Sequence, residues 1–164
     1  MKHPSHCNRE QQTQQILDYL NTDLLCYQTD KPEALSKKQQ TIWQPNIVWF
    51  EKHYDVKLET TTGLNVLKQP HKAHIAVQKD INDLNNKLFE ALYGVTISTG
   101  SLILALSFIK EEINHDEIIN ACFLEEDYKD ELYDAEKYGS DPLIEQKKQQ
   151  LSQDLQAASL LRDK

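Results

Sequence analysis

Apolar residues recur every three or four positions along most of this chain, the spacing of an amphipathic helix. Arg9 to Leu20 reads as a short helix ending in ILDYL. In NTDLLCYQTD the period changes. Leu24, Leu25, Cys26 and Tyr27 form an apolar run between polar turn formers, which predicts a short extended segment. KPEALSKKQQTIWQ restarts a helix, with Pro32 suited to its first turn. Pro45 must interrupt it, because proline lacks the N–H and disfavours helix at Gln44. PNIVWFEKHY then starts a new helix, with Trp43, Ile47 and Phe50 as its bulk.

Between Val56 and Pro70 the pattern turns β-like. Val56 and Leu58 alternate with polar residues, Thr62-Gly63 signals a turn, and LNVL returns. This predicts one short β-hairpin. The expected fold is therefore mainly α, a multi-helix domain with that hairpin packed against it. Beyond Pro70 the chain reads helical throughout, with a break near Asn85-Asn86. Ala91 to Ile109 is uncharged and 19 residues long, the lower limit for a membrane span. Its five Ser/Thr and two Gly, with Lys110, Glu111 and Glu112 directly after, favour a buried central helix instead. Gly94, Ser98, Ser101 and Ala105 lie three or four apart, where small residues let another helix approach. Asn114 and Glu117 have capping-box spacing and open a long helix that Gly139 stops. Asp141-Pro142 starts the last helix, striped by Ile144, Leu151, Leu155 and Ala158.

The long helix carries the most unusual stretch, FLEEDYKDELYDAEKYG. Seven carboxylates from Glu125 to Glu136 face one cation, Lys129. On a continuous helix Ala121, Leu124, Tyr128, Leu132, Ala135 and Tyr138 make a packing stripe, and the carboxylates fill the remaining arc. Like charges four apart, as in Glu126/Asp130, Asp127/Glu131 and Asp130/Asp134, each cost a few tenths of a kcal/mol, roughly. That cost fits either a solvated face or a surface for a basic partner. General acid/base chemistry would need an apolar pocket that separates two carboxyl pKa values.

Composition narrows the classes. With 164 residues the chain can bury a core, and a net charge of −8 without any Lys/Arg-rich run excludes a general nucleic-acid or anionic-membrane binder. The pairs Lys37-Lys38 and Lys147-Lys148 stand isolated in mixed sequence. Cys7, Cys26 and Cys122, odd in number and widely spaced, fit a reducing compartment rather than a disulfide framework. No targeting segment is legible in the first fifteen residues.

Metal and nucleotide chemistry find little support. Glu112 and His115 form a single E-x-x-H, whereas a carboxylate-bridged di-iron bundle needs two, plus two further glutamates. His71 and His74 share a helix face without a third ligand, and His3, His6 and Cys7 cluster in an N-terminal segment, residues 1–8, expected to be flexible. GVTISTGS lacks the lysine of a phosphate-binding loop. No cofactor is implied.

An ordered set of motifs does carry a resemblance. LDYLNTDLLCY, PEALSKKQQTIWQPNIVWFEKHYDVKLETTTGL, QP, TGSLILALSFI, CFLEEDY and AEKYG resemble, in that order, the C-terminal helical domain of the mitochondrial ATP synthase assembly chaperone for the alpha subunit of the catalytic sector. The likeness runs from about Ile16 onward, placing a helical chaperone domain at residues 9–164. It implies a non-enzymatic protein of the mitochondrial matrix that holds the unassembled alpha subunit, shields it from aggregation and releases it to the beta subunit. It also implies that acidic residues of LEED matter, here Glu125, Glu126 and Asp127. Family members often read Gln-Ile-Glu and Trp-Gly where this chain has Asp134-Ala135-Glu136 and Tyr138-Gly139. They also carry an N-terminal β-rich domain that this chain lacks, so a domain fragment is expected, with that domain among its partners. Two other classes stay open: a metal-dependent helical enzyme using Glu112 and His115, and a structural helical adaptor. If the aromatic cluster of Trp43, Trp49 and Phe50 is exposed, it is a candidate client surface.

Overall fold

The computed structural model describes residues 5–132 and 141–163, with side chains from Asn8 onward. Its helices are α1 (Ser5–Thr22), α2 (Glu33–Ile42), α3 (Gln44–Tyr54), α4 (His71–Asn82), α5 (Asn86–Thr99), α6 (Leu102–Ile109), α7 (His115–Cys122), α8 (Leu124–Leu132) and α9 (Pro142–Arg162). A single 3-10 turn, Leu24–Cys26, follows α1, where an extended segment is predicted. Every residue of α6 is buried, so this short apolar helix is the axis of the core. α5 and α3 lie against it, α1 crosses α4, α5 and α6, and α9 runs along α5.

The predicted β-hairpin does not form. Among the described residues there is no strand, only one parallel bridge between Tyr27 and Thr61. The reason lies in which groups satisfy the backbone. Leu58 and Leu67 are buried, but Leu64 and Val66 face water, so the returning arm has no apolar side to pack. Side chains replace the ladder. The Gln69 amide accepts from the Glu59 N–H at 2.8 Å and donates to the Glu59 carbonyl at 2.9 Å. Glu51 accepts from the Leu58 N–H, and the Tyr27 hydroxyl accepts from the Leu67 N–H. Backbone groups that are satisfied in this way gain little from pairing with each other.

Two predicted continuous helices are each divided. Gly100, in left-handed conformation at φ 73°, ends α5, and Ser101 caps α6 by accepting from the Leu104 N–H. The uncharged run is thus divided between α5, of 14 residues, and α6, of 8, and no described helix is long and apolar enough to cross a membrane. The expected helix from Asn114 to Gly139 opens with the capping box, then bends at Phe123 (φ −106°, ψ 20°). The small-residue row is divided: Gly94 and Ser98 lie on α5, along which α9 runs with Asp154 accepting from the Ser98 hydroxyl at 2.8 Å, whereas Ser101 caps α6 and Ala105 lies within it. Pro45 interrupts the helix as expected, but α3 already begins at Gln44, with Pro45 in its first turn, and Trp43 both ends α2 and precedes α3. Trp43 is wholly buried, and its indole N–H donates to the Ala121 carbonyl at 2.8 Å.

The motifs of the resemblance interlock at the start of α6. Asp23 is wholly buried. Its carboxylate accepts from the Leu25 N–H, the Ser101 hydroxyl at 2.6 Å and the Ile103 N–H at 2.9 Å. The Leu24 N–H donates to the Gly100 carbonyl. DLLCY and TGS are therefore two halves of one knot, with a negative charge at the positive end of the central helix. At the other end Arg162 donates to the Phe108 carbonyl at 3.0 Å and lies 4.5 Å over the Phe108 ring. In the same manner Arg9 donates to the Ile81 and Leu84 carbonyls at the end of α4.

Two expectations follow. Gly94→Ala should raise stability by about 0.5–1 kcal/mol through helix propensity, whereas Gly100→Ala should lower it by about 1 kcal/mol because of its positive φ; urea midpoints separate them. Burial pushes the Asp23 carboxyl up to about 6, against the opposing pull of its hydrogen bonds. A folded pKa above the unfolded value means that protonation favours folding. This contribution is complete below about pH 4 and is lost as pH rises through 6. Asp23→Asn turns an NH2 toward backbone donors and should cost about 2–4 kcal/mol. The wild-type advantage over Asp23→Asn should grow by roughly 2–3 kcal/mol between pH 7.5 and pH 4, read by urea unfolding at both.

Candidate functional site

The bend at Phe123 changes the meaning of the acidic stretch. The Asp127 N–H still donates to the Phe123 carbonyl, but α8 starts afresh at Leu124. Glu125, Glu126 and Asp127 therefore occupy the first turn of a helix. Carboxylates there are favoured by the unpaired N–H groups and the macrodipole, by about 0.3–1 kcal/mol each. The like-charge cost read from a continuous helix is offset at the three positions where acid is densest. The stripe also changes: Ala121 belongs to α7, while Leu124 is buried, Tyr128 half-buried and Leu132 60% exposed. α8 thus lifts away from the core along its length.

All three predicted site residues are half-buried rather than fully solvated. Their partners differ. Asp127 forms an ion pair with Lys148 of α9, and Lys148 in turn lies 5.8 Å from the Phe123 ring centroid. Glu131, further along α8, pairs with Lys38 of α2 at 3.1 Å. Among the described residues Glu125 and Glu126 make no ion pair. Glu126 does approach Cys122: burial pushes that thiol up to about 11, and the Glu126 charge adds to the effect. The two lysine pairs that look isolated in sequence each supply one clamp to α8. No local spacing could show this, since the partners lie 21 and 93 residues apart. Asp134, Ala135, Glu136, Tyr138 and Gly139 fall outside the described residues.

The metal candidates do not assemble. Glu112 lies in the loop before α7 and His115 is the first residue of that helix, so the E-x-x-H straddles the Asn114 cap. His115 Nε2 is 3.0 Å from the Ser152 hydroxyl and its Nδ1 is 3.3 Å from Asp116. His71 and His74 sit in the first turn of α4, where burial lowers the His74 pKa and the His71 charge lowers it further. Among the described residues no three His, Cys, Asp or Glu side chains are grouped to hold a metal ion. His3 lies outside the described residues, as do the side chains of His6 and Cys7. Of the aromatic cluster, Trp43 and Phe50 are buried, and only Trp49 is partly exposed, stacked on His53 at 5.0 Å.

The sequence profile of the family described as ATP12 chaperone protein matches residues 1–51, from α1 through most of α3. The fold matches Atp12 from Paracoccus denitrificans, with a TM-score of 0.85 and 24% identity over 96% of this chain and 66% of that one. The chain resembles the ATP12 chaperone family in sequence and in fold. The D202K mutant of P. denitrificans Atp12p gives a TM-score of 0.84 at 25% identity, covering 94% of this chain and 64% of the other. Atu1473 from Agrobacterium tumefaciens gives 0.83 at 26%, covering 96% and 57%. The chain thus spans about two thirds or less of the length of these solved chains. The Atp12-like profile covers Asp23 and Trp43 but not their partners Ser101, Ile103 and Ala121, and it stops well before α8, so it bears on part of the scaffold and not on Glu125, Glu126 or Asp127.

The Asp127–Lys148 clamp is testable by a double-mutant cycle. Asp127→Asn and Lys148→Met should couple by about 0.5–1 kcal/mol in urea unfolding, as for a half-exposed pair. Glu125→Gln and Glu126→Gln should each shift stability by no more than about 1 kcal/mol, the loss of a helix-terminus charge.

Proposed function

We propose that this chain is the helical part of an Atp12-type assembly chaperone that binds the unassembled alpha subunit of the ATP synthase catalytic sector. On this reading it acts in the mitochondrial matrix, covers surface that would otherwise aggregate, and gives the subunit up to the beta subunit. The observation that supports it is the agreement of two independent likenesses, the family profile over residues 1–51 and the Atp12 fold over 96% of the chain. The mechanism is passive, through shape and charge complementarity, with no nucleotide turnover. A β-rich N-terminal domain, as the resemblance implies, would share the client.

Within α8 the reading concentrates on Glu125 and Glu126. They carry charge without an ion-pair partner among the described residues, whereas Asp127 is engaged by Lys148. A negative pair on a helix that lifts from the core suits a basic patch on the client. Asp127 would then hold α8 in place for its neighbours.

Tagged protein incubated in mitochondrial extract should enrich free alpha subunit; failure to do so overturns the reading. The double variant Glu125→Lys/Glu126→Lys should keep its circular dichroism and weaken capture roughly tenfold. Unchanged capture by that variant would remove α8 from the contact surface while leaving the chaperone reading in place.

A further inference from the structure

A groove of about 340 Å³ opens between the α2–α3 junction and α7, and neither the fold nor the α8 site uses it. Its apolar wall is Ile42, Pro45, Trp49 and Ile113, and its acidic wall is Glu112 and Glu117. No lysine, arginine or histidine lines it. Trp49 is the partly exposed member of the aromatic cluster, held by stacking on His53, so one indole surface is pre-set without client present. Glu117 is also fixed, because its carboxylate accepts from the Asn114 N–H in the capping box. Glu112 makes no ion pair among the described residues.

An aromatic face beside apolar side chains and two carboxylates matches one chemistry well. An arginine offers a methylene stem for the apolar wall, a planar cation for the indole and donors for the carboxylates. A lysine supplies only the stem and a point charge, and an acidic or purely apolar side chain leaves the glutamates unanswered. We infer that this groove is a second client contact, which takes an arginine side chain from an exposed basic-apolar segment of the polypeptide that the chaperone holds. The inference rests on the chaperone reading for its biological setting but not for its chemistry. Asn120 on the groove rim is one residue before Ala121, whose carbonyl receives the Trp43 indole N–H, and α8 begins at Leu124. The groove and the acidic first turn of α8 are thus positioned by the same junction.

The chain has two tryptophans, and Trp43 is wholly buried, so a ligand-dependent change in indole fluorescence reports Trp49. The probe is the peptide acetyl-Leu-Arg-Leu-amide, with the citrulline and glutamate versions as controls. Titration into the whole chain should give a saturable fluorescence change with the arginine peptide only. That change should fall severalfold in Glu112→Gln and weaken with added salt. It should disappear in Thr41→Arg, which places a competing cation at the exposed rim. No saturable change, or equal changes with all three peptides, overturns the inference. Captured alpha subunit provides the separating arm. If Glu112→Gln and Thr41→Arg bind it as wild type does, the groove is not a client contact and the chaperone reading survives. If wild type captures none while the peptide result holds, the groove recognises arginine and it is the client that is wrong.

Discussion

Everything in this fold is arranged around one carboxylate that has no business in an apolar interior unless it is answered. Asp23 sits at zero exposure, and its burial cost is met by a hydroxyl, two backbone N–H groups and the positive end of α6. Because those donors come from the turn after α1 and from the start of α6, the charge fixes how the two segments meet. Apart from Ser107, α6 is apolar on every side, so hydrophobic burial alone does little to fix its register or rotation. The hydrogen-bonded charge removes that freedom, since any slip would leave it unpaired.

The same logic separates the scaffold from the surface. Asp23, Gln69, Trp43 and Arg162 are polar or amphipathic residues whose polar atoms are spent inside the molecule. Asp23, Trp43 and Gln69 each fall within a motif of the resemblance, and the first two within the 1–51 profile match. A profile match confined to residues 1–51 can therefore report on the scaffold while remaining silent on α8. Glu125, Glu126 and the groove beside Trp49 lie outside the 1–51 profile match in whole or in part, and their roles rest on charge and exposure.

Helical content, the proline and capping boundaries, and the last helix were legible because each depends on residues within a turn of one another. Asn114 with Glu117, and Asp141 before Pro142, declare themselves locally. The hairpin was misread because alternation at Val56 and Leu58 does not reveal that Leu64 and Val66 stay in water. Nor does it reveal that a glutamine ten residues away serves the backbone. Phe123 gives no breaker signal, so the acidic run was read as mid-helix and its charges as mutual repulsion. The clamps from Lys38 and Lys148 were illegible for a simpler reason: they are set by tertiary packing, and nothing in either lysine's neighbourhood points to α8.

The guanidinium of Arg162 seals the far end of α6, but it belongs to a residue 54 positions downstream of the carbonyl it meets. Asp23 stands 80 positions before the amide it receives. The core helix is thus terminated at one end by an early part of the chain and at the other by a late part. During synthesis α6 leaves the ribosome with its first cap available and its second still unmade. Contacts of such long sequence separation carry a loop-closure cost that must be met before the core rewards it. The core around α6 is closed at its second end only once the last turn of α9 is in place.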